Sequence, residues 1–207
     1  MKSVLMDLSG VFADEGWDAV LASDPGNTIL RLRDVEGTRG YCCPDAEDAL
    51  MQAMASCPLD AIHWIDTGDY HYISALWLRK LEEPSALFLF DHHSDDQPPA
   101  FGGLLSCGSW MLEAKANPMV RDDAPSAYIS IDLDWLSPAF ARTDWDQGDA
   151  TLPQLFDSLD GILSSHRLAG VDICGGLCLR DGAHASDFAV NLRTRRALLD
   201  YFAGRDL

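Results

Sequence analysis

Short apolar runs and stretches of helical periodicity alternate along the whole chain. Ser3-Val4-Leu5-Met6 and Thr28-Ile29-Leu30-Arg31-Leu32 predict strands by length and by their branched residues. Pro44 to Ser56 predicts a helix: Pro44 stands near its start, Asp45, Glu47 and Asp48 fill the first turn, and Leu50, Met51 and Met54 form an apolar stripe. Ala61–Ile65 then predicts a strand and Tyr72 to Glu82 a helix. Leu87–Phe90 is a strand that runs into the string DHHSDD, and Ala127–Ile131 is another that runs into DLD. Leu152 to Ser165 is helical in pattern, Gly170 to Cys174 strand-like, and Asp187 to Phe202 a closing amphipathic helix. Near-continuous apolar strands alternating with helices indicate a doubly wound, mostly parallel α/β sheet with helices on both faces. No internal repeat, low-complexity tract or linker interrupts the pattern, so one domain is expected over residues 1–207.

Composition narrows the class. At 207 residues, with 47% apolar and 23% charged positions, the chain has ordinary globular content and enough length for a sizeable core. Its longest strongly apolar run, Ala86–Phe90, is far short of the ~20 residues that span a bilayer. MKSVLMDLSG, cut by Asp7, does not read as a secretory segment. Fifteen basic against thirty-three acidic residues give a net charge of −18. That surface disfavours nucleic acid and tolerates a cationic substrate or a metal. Six cysteines without C-x-x-C spacing read as reduced thiols in a cytoplasmic protein.

The chemistry collects where strands end, which is where open α/β sheets bind ligands. Asp66-Thr67-Gly68-Asp69-Tyr70-His71 follows one strand, Asp91-His92-His93-Ser94-Asp95-Asp96 the next, and Asp132-Leu133-Asp134 a third. In extended chain, Asp91, His93 and Asp95 would point to one face, as would Asp132 and Asp134, with His92 on the opposite side. An aspartate at a strand end commonly caps a turn or a helix, and a lone D-x-D carries little weight against that reading. D-x-H-x-D after one strand, D-x-D after another and a histidine after a third carry much more. Four carboxylates share a small volume only if cations neutralise them. Two divalent ions would balance Asp91, Asp95, Asp132 and Asp134, and oxygen-rich ligation with imidazole and no thiolate suits Mn²⁺.

FDHHSD followed by SIDLDWLSP resembles the ureohydrolase (arginase, agmatinase) and deacetylase superfamily, whose members carry D-x-H-x-D and then S-x-D-x-D-x-x-x-P on neighbouring strands. The resemblance spans roughly Ile62 to Gly176 and implies an arginase-like three-layer sandwich with a binuclear manganese centre. It assigns His71, Asp91, Asp95 and Asp132 to one ion and Asp91, His93, Asp132 and Asp134 to the other, with Asp91 and Asp132 bridging. The stretch GDYHY departs from the family's G-G-D-H-S, so His71 is the loosest match. The implied reaction is attack of a metal-bridged hydroxide, oriented by Asp95, on a guanidinium carbon, giving urea. Substrates would be a small guanidino compound or an arginine-containing peptide, since the short chain is similar to trimmed relatives that act on peptidyl arginine. A homo-oligomer is compatible with the family.

Three departures bear on the substrate. Gly175 stands where arginases carry a guanidinium-binding Glu in G-x-D-x-x-E. No histidine occupies Leu105–Trp110, the position of the family's proton shuttle, and His184 is the late-loop alternative. Arg142–Asp149 replaces a glycine-rich loop and offers Asp144 or Asp146 as a substitute guanidinium partner, with Asp146 also a catalytic candidate. Cys107 has no adjacent base in sequence, and Trp64, Trp77 and Trp110 read as core. A deacetylase-like amide hydrolase, a D-H-H phosphoesterase and a non-catalytic metal scaffold remain alternatives at this level.

Overall fold

The computed structural model describes residues 1–204; Arg205 to Leu207, the end of the domain expected from sequence, lie outside the described residues. The strands are β1 (Ser3–Asp7), β2 (Thr28–Arg31), β3 (Tyr41–Cys42), β4 (Ile62–Trp64), β5 (Ser85–Phe90), β6 (Leu105–Ser106), β7 (Ser126–Asp132) and β8 (Arg167–Cys174). The helices are α1 (Val11–Glu15), α2 (Trp17–Ala22), α3 (Pro44–Met54), α4 (Ile73–Leu78), α5 (Trp110–Ala116), α6 (Leu152–Leu163) and α7 (Ala185–Ala203). Six strands form one sheet in the order β2-β1-β4-β8-β7-β5, and every pairing in it is parallel. The strands β3 and β6 make a separate antiparallel pair.

The helices sit on both faces, as the alternation predicts. One apolar layer joins α3, α4 and α5 to the sheet through Leu50, Met54, Leu76, Trp77 and Trp110. The other joins α1, α2, α6 and α7 through Phe12, Trp17, Leu155, Leu159 and Leu198. The central strand β7 is buried at all seven positions, which explains its unbroken apolar reading apart from two serines and the terminal Asp132. Parallel strands covered on both faces have no polar side to alternate with. Pro84 precedes β5, and Thr151 caps α6 with a reciprocal Gln154 contact.

Helix ends differ most from the sequence reading. The predicted helix from Tyr72 to Glu82 is only Ile73–Leu78, and α1, α2 and α5 are seven residues or fewer. Elements of one or two turns are too short to display a period. Among the described residues no helix is long and apolar enough to cross a membrane.

From β1 the chain first moves outward to β2, then returns past β1 to β4, jumps to the far edge at β5 and fills inward through β7 and β8. The carboxyl ends of β4, β5, β7 and β8 therefore gather around one crevice, the place where such sheets hold ligands.

Candidate metal centre

The turn after β4 contributes first. Asp66 is fully buried, yet it faces away from the crevice: its Oδ2 accepts from the Leu8 and Ser9 amides at 2.8 Å each, and its Oδ1 accepts from the Thr67 amide and the Ser9 hydroxyl. It ties the exit of β1 to the end of β4. A short 3₁₀ turn, Gly68–Tyr70, then brings His71 inward with only 1% exposure. The Nε2 of His71 lies 2.9 Å from the Ser130 hydroxyl, which itself donates to Asp172 Oδ1 at 2.7 Å. Because the single Ser130 proton goes to Asp172, Nε2 is the N–H donor, and in the neutral imidazole Nδ1 carries the lone pair. That Nδ1 is buried without a hydrogen-bond partner and faces Asp91 and Asp95 at 3.1 Å each and Asp132 at 3.4 Å.

Beyond β5 the extended-chain spacing argument does not hold. The strand ends at Phe90, and the loop bends so that Asp95 has a left-handed φ of 46°. Asp132 is the last residue of β7, while Asp134 sits on a 3₁₀ turn, Leu133–Trp135. The side chains converge through turns rather than along strands. His93 Nδ1 lies 2.9 Å from Asp134 Oδ2, and its amide donates to Asp91 Oδ1 at 2.7 Å. The Asp134 amide donates to Asp132 Oδ1 at 2.9 Å. Asp95 is fixed by the Trp110 indole, which donates to its Oδ2 at 2.6 Å.

Two groups of potential ligands result: His71, Asp91 and Asp132, and Asp91, His93 and Asp134, with ligand atoms of each group within 4.8 Å of one another. Asp91 belongs to both. The Oδ2 of Asp91 is a second buried atom with no partner. Burial and the neighbouring Asp134 carboxylate push Asp132 well above the usual carboxylate range. Burial and Asp91 push Asp134 up to about 8. Burial opposes protonation of His71, but the Asp91 and Asp95 carboxylates beside it raise its pKa well above the ordinary value. Such crowding, with two orphaned atoms aimed at its centre, fits bound divalent cations, which neutralise the carboxylates together. The donors are all oxygen and imidazole nitrogen.

All six predicted ligands line one cavity of about 570 Å³. Asp144 and Asp146 do not line it. Asp144 is half-buried, with an unpartnered Oδ1, and burial together with Asp69 pushes its pKa up to about 6. Asp146 is exposed on the outer side of the loop. The residue of that loop that does reach the cavity is Trp145, edge-on to His93 with ring centroids 5.7 Å apart. His184 caps the start of α7 through its amide bond to Asp187, away from the cavity. Cys107 lines the cavity, but burial and Asp95 push its thiol up to about 12, so it is no nucleophile at neutral pH. His92 is exposed; its contribution is the amide that donates to Asp134 Oδ1 at 3.0 Å. Sequence reasoning left Ser130, Asp172 and Trp110 without roles, although the first two sit inside the quoted family motifs.

No family model matches the chain. It is 22% identical over 200 residues to an uncharacterised protein of Thermotoga maritima, covering 83% of this chain and 78% of that one. Among solved structures, arginase from Bacillus subtilis superposes with a TM-score of 0.67 at 10% identity, over 100% of this chain and 99% of that one. The chain has the arginase fold. Proclavaminate amidino hydrolase from Streptomyces clavuligerus superposes similarly, with a TM-score of 0.66 at 12% identity over 97% of this chain and 90% of that chain. At these identities the likeness concerns backbone architecture, so the role of each side chain rests on its own geometry.

The turn after β8 also lies against the candidate ligands. Gly175 has φ +100°, and a Cβ there would lie 2.8 Å from Asp132 Oδ1. Its carbonyl accepts from Arg195 Nη2 at 2.6 Å, and Arg195 is in turn held by Glu15 at 2.6 Å in a fully buried ion pair. A glycine is required here by sterics, whatever the substrate.

Proposed function

We propose that the protein is a manganese-dependent hydrolase of the ureohydrolase type that cleaves a C–N bond of a guanidino or amidino compound. The observation that carries this reading is the pair of ligand groups sharing Asp91 at the floor of a cavity, on a fold shared with proteins named for arginine and amidino hydrolysis. His71, Asp91, Asp95 and Asp132 would hold one ion and Asp91, His93, Asp132 and Asp134 the other, with Asp91 and Asp132 common to both. Two bound divalent cations supply a water acidic enough to act as hydroxide near neutrality. The chain's own residues do the rest. Asp95 is aimed by Trp110 and, in this reading, accepts a hydrogen bond from the attacking water and passes its proton on to the departing amine. His71 is locked in the ligating tautomer by Ser130 and Asp172. Asp144, half-buried with an unpartnered oxygen, is one acidic candidate for steadying substrate charge, from behind the cavity wall. Six free cysteines support a reducing, cytoplasmic setting.

The test is to load the purified chain with Mn²⁺, count ions by elemental analysis and assay urea or ammonia release from a panel of guanidino, amidino and formimino compounds. Two ions per chain with metal-dependent release uphold the reading. Metal binding with no turnover of any compound overturns it in favour of a scaffold, and acetate release from acetylated amines would shift it to amide hydrolysis.

A narrower measurement examines Asp95. Trp110→Phe keeps the ring and removes the indole donor, leaving Asp95 free to rotate. Metal affinity should fall by about 10- to 100-fold, the usual range for losing a group that orients a ligand. An unchanged titration midpoint would show that the indole does not position Asp95.

A further inference from the structure

The cavity has a mouth as distinctive as its floor. Among the described residues, five large hydrophobic side chains are exposed, and three of them gather here: Tyr41, Phe101 and Trp145. Tyr41 and Trp145 line the cavity directly, and Phe101 stands edge-on to Tyr41 with ring centroids 4.9 Å apart. Phe101 is 74% exposed and has a left-handed φ of 49°. A bulky residue rarely adopts that conformation, and here no burial of its ring accompanies the strain. Aromatic groups left in water at a cavity mouth mark a surface that something apolar covers.

Charge at the mouth points the same way. Among the described residues lining the cavity, none is Lys or Arg. The nearest cation in sequence, Arg39, is turned onto Asp69 at 2.7 Å and Asp181 at 3.4 Å. Asp69 itself lines the cavity, and the whole chain carries a net charge of −18. A substrate carboxylate at the mouth would find no Lys or Arg to pair with and would lie near Asp69. Without a paired cation its desolvation would be uncompensated.

We infer that the substrate is a carboxylate-free guanidino or amidino compound whose tail is apolar or aromatic, seated against Tyr41, Phe101 and Trp145. This rests on the hydrolase reading above and adds the chemistry of the part that does not react. The guanidino or amidino head reaches the floor of the cavity, and the tail covers the exposed rings. Free arginine, with its carboxylate, is a poor match for this cavity. Specificity resides in the mouth, since the residues of the floor serve any guanidino head alike.

The experiment compares four compounds with one reactive head and the same four-carbon reach: L-arginine, agmatine, N-acetyl-L-argininamide and 4-phenylbutylguanidine. Each is assayed for urea release by the Mn²⁺-loaded protein, and its binding is measured by calorimetry. The phenyl compound should exceed arginine by about tenfold or more in kcat/KM, mostly through KM, as expected for an apolar pocket that accepts its ligand. Phe101→Ala alters an exposed side chain and should reduce the advantage of the phenyl compound over agmatine about fivefold. Arginine, agmatine or the amide outranking the phenyl compound would overturn the inference, as would a Phe101→Ala variant with an unchanged ratio. Should none of the four be hydrolysed, hydrolysis of these guanidines fails separately from the tail chemistry, and the amidino and formimino compounds of the wider panel decide the hydrolase reading. The calorimetric ranking then decides the tail chemistry: the phenyl compound binding most tightly upholds it, and any other order overturns it.

Discussion

On the proposed reading, Asp91→Asn should strip both ions from the protein and take hydrolysis to background. Asp91 belongs to both groups of potential ligands, and its side chain is 2% exposed. Its two oxygens have separate tasks: Oδ1 accepts the His93 amide at 2.7 Å, while Oδ2 is buried with no partner and faces His71 at 3.1 Å. The amide of asparagine preserves shape and keeps one acceptor, so the loop should hold. It removes the negative charge and places an N–H₂ where a lone pair is needed. Divalent ions held here would supply an acidic water, and without them that chemistry would be lost, so turnover should drop by on the order of a thousandfold or more. Elemental analysis of the dialysed variant gives the direct readout. Two ions still bound per chain would remove Asp91 from the bridging position, and Asp132→Ala would then be the variant to compare.

Gly175→Glu, which writes the arginase-type carboxylate back into the motif, is expected to damage the site rather than improve arginine turnover. The position has φ +100°, where a side chain costs about 1–3 kcal/mol in backbone strain alone. Its Cβ would meet Asp132 Oδ1 at 2.8 Å and Leu133 Cβ at 3.0 Å. Neither atom can retreat freely, because Asp132 is held by the Asp134 amide and by its place among the ligands. The Gly175 turn is also clamped from behind by the buried Arg195. Asp132 must therefore shift, and metal affinity should fall by about tenfold or more. Thermal denaturation with and without Mn²⁺ separates the two effects: strain lowers both midpoints, and loss of ligation shrinks the difference between them. A variant that binds two ions normally and gains arginine hydrolysis would show that the glycine turn is optional.

The sequence by itself determined the architecture and which candidate residues would meet. Fully buried parallel strands leave an unbroken apolar signature, which is why β1, β5, β7 and β8 were legible to within a few residues. The convergence of the six candidate ligands was legible for a different reason. Buried acids packed this densely at strand ends have few explanations other than a cation, and all six named residues do line one cavity. The one-face rationale was nevertheless wrong in its local geometry, because left-handed Asp95 and the 3₁₀ turn at Asp134 replace extended chain. Only the tertiary structure decided what surrounds that set. Asp66, identical in type to the ligands and next to them in the sequence, is spent on backbone amides of the β1 exit. Ser130 and Asp172 orient His71 from neighbouring strands, β7 and β8, and Trp110 reaches Asp95 from the start of α5. Between Asp144 and Asp146, local sequence could not see that Trp145 turns inward over Gly68 while Asp146 faces solvent. Such facts depend on which strands become neighbours and which way a loop closes. They are long-range properties, and a residue's type and spacing carry no record of them.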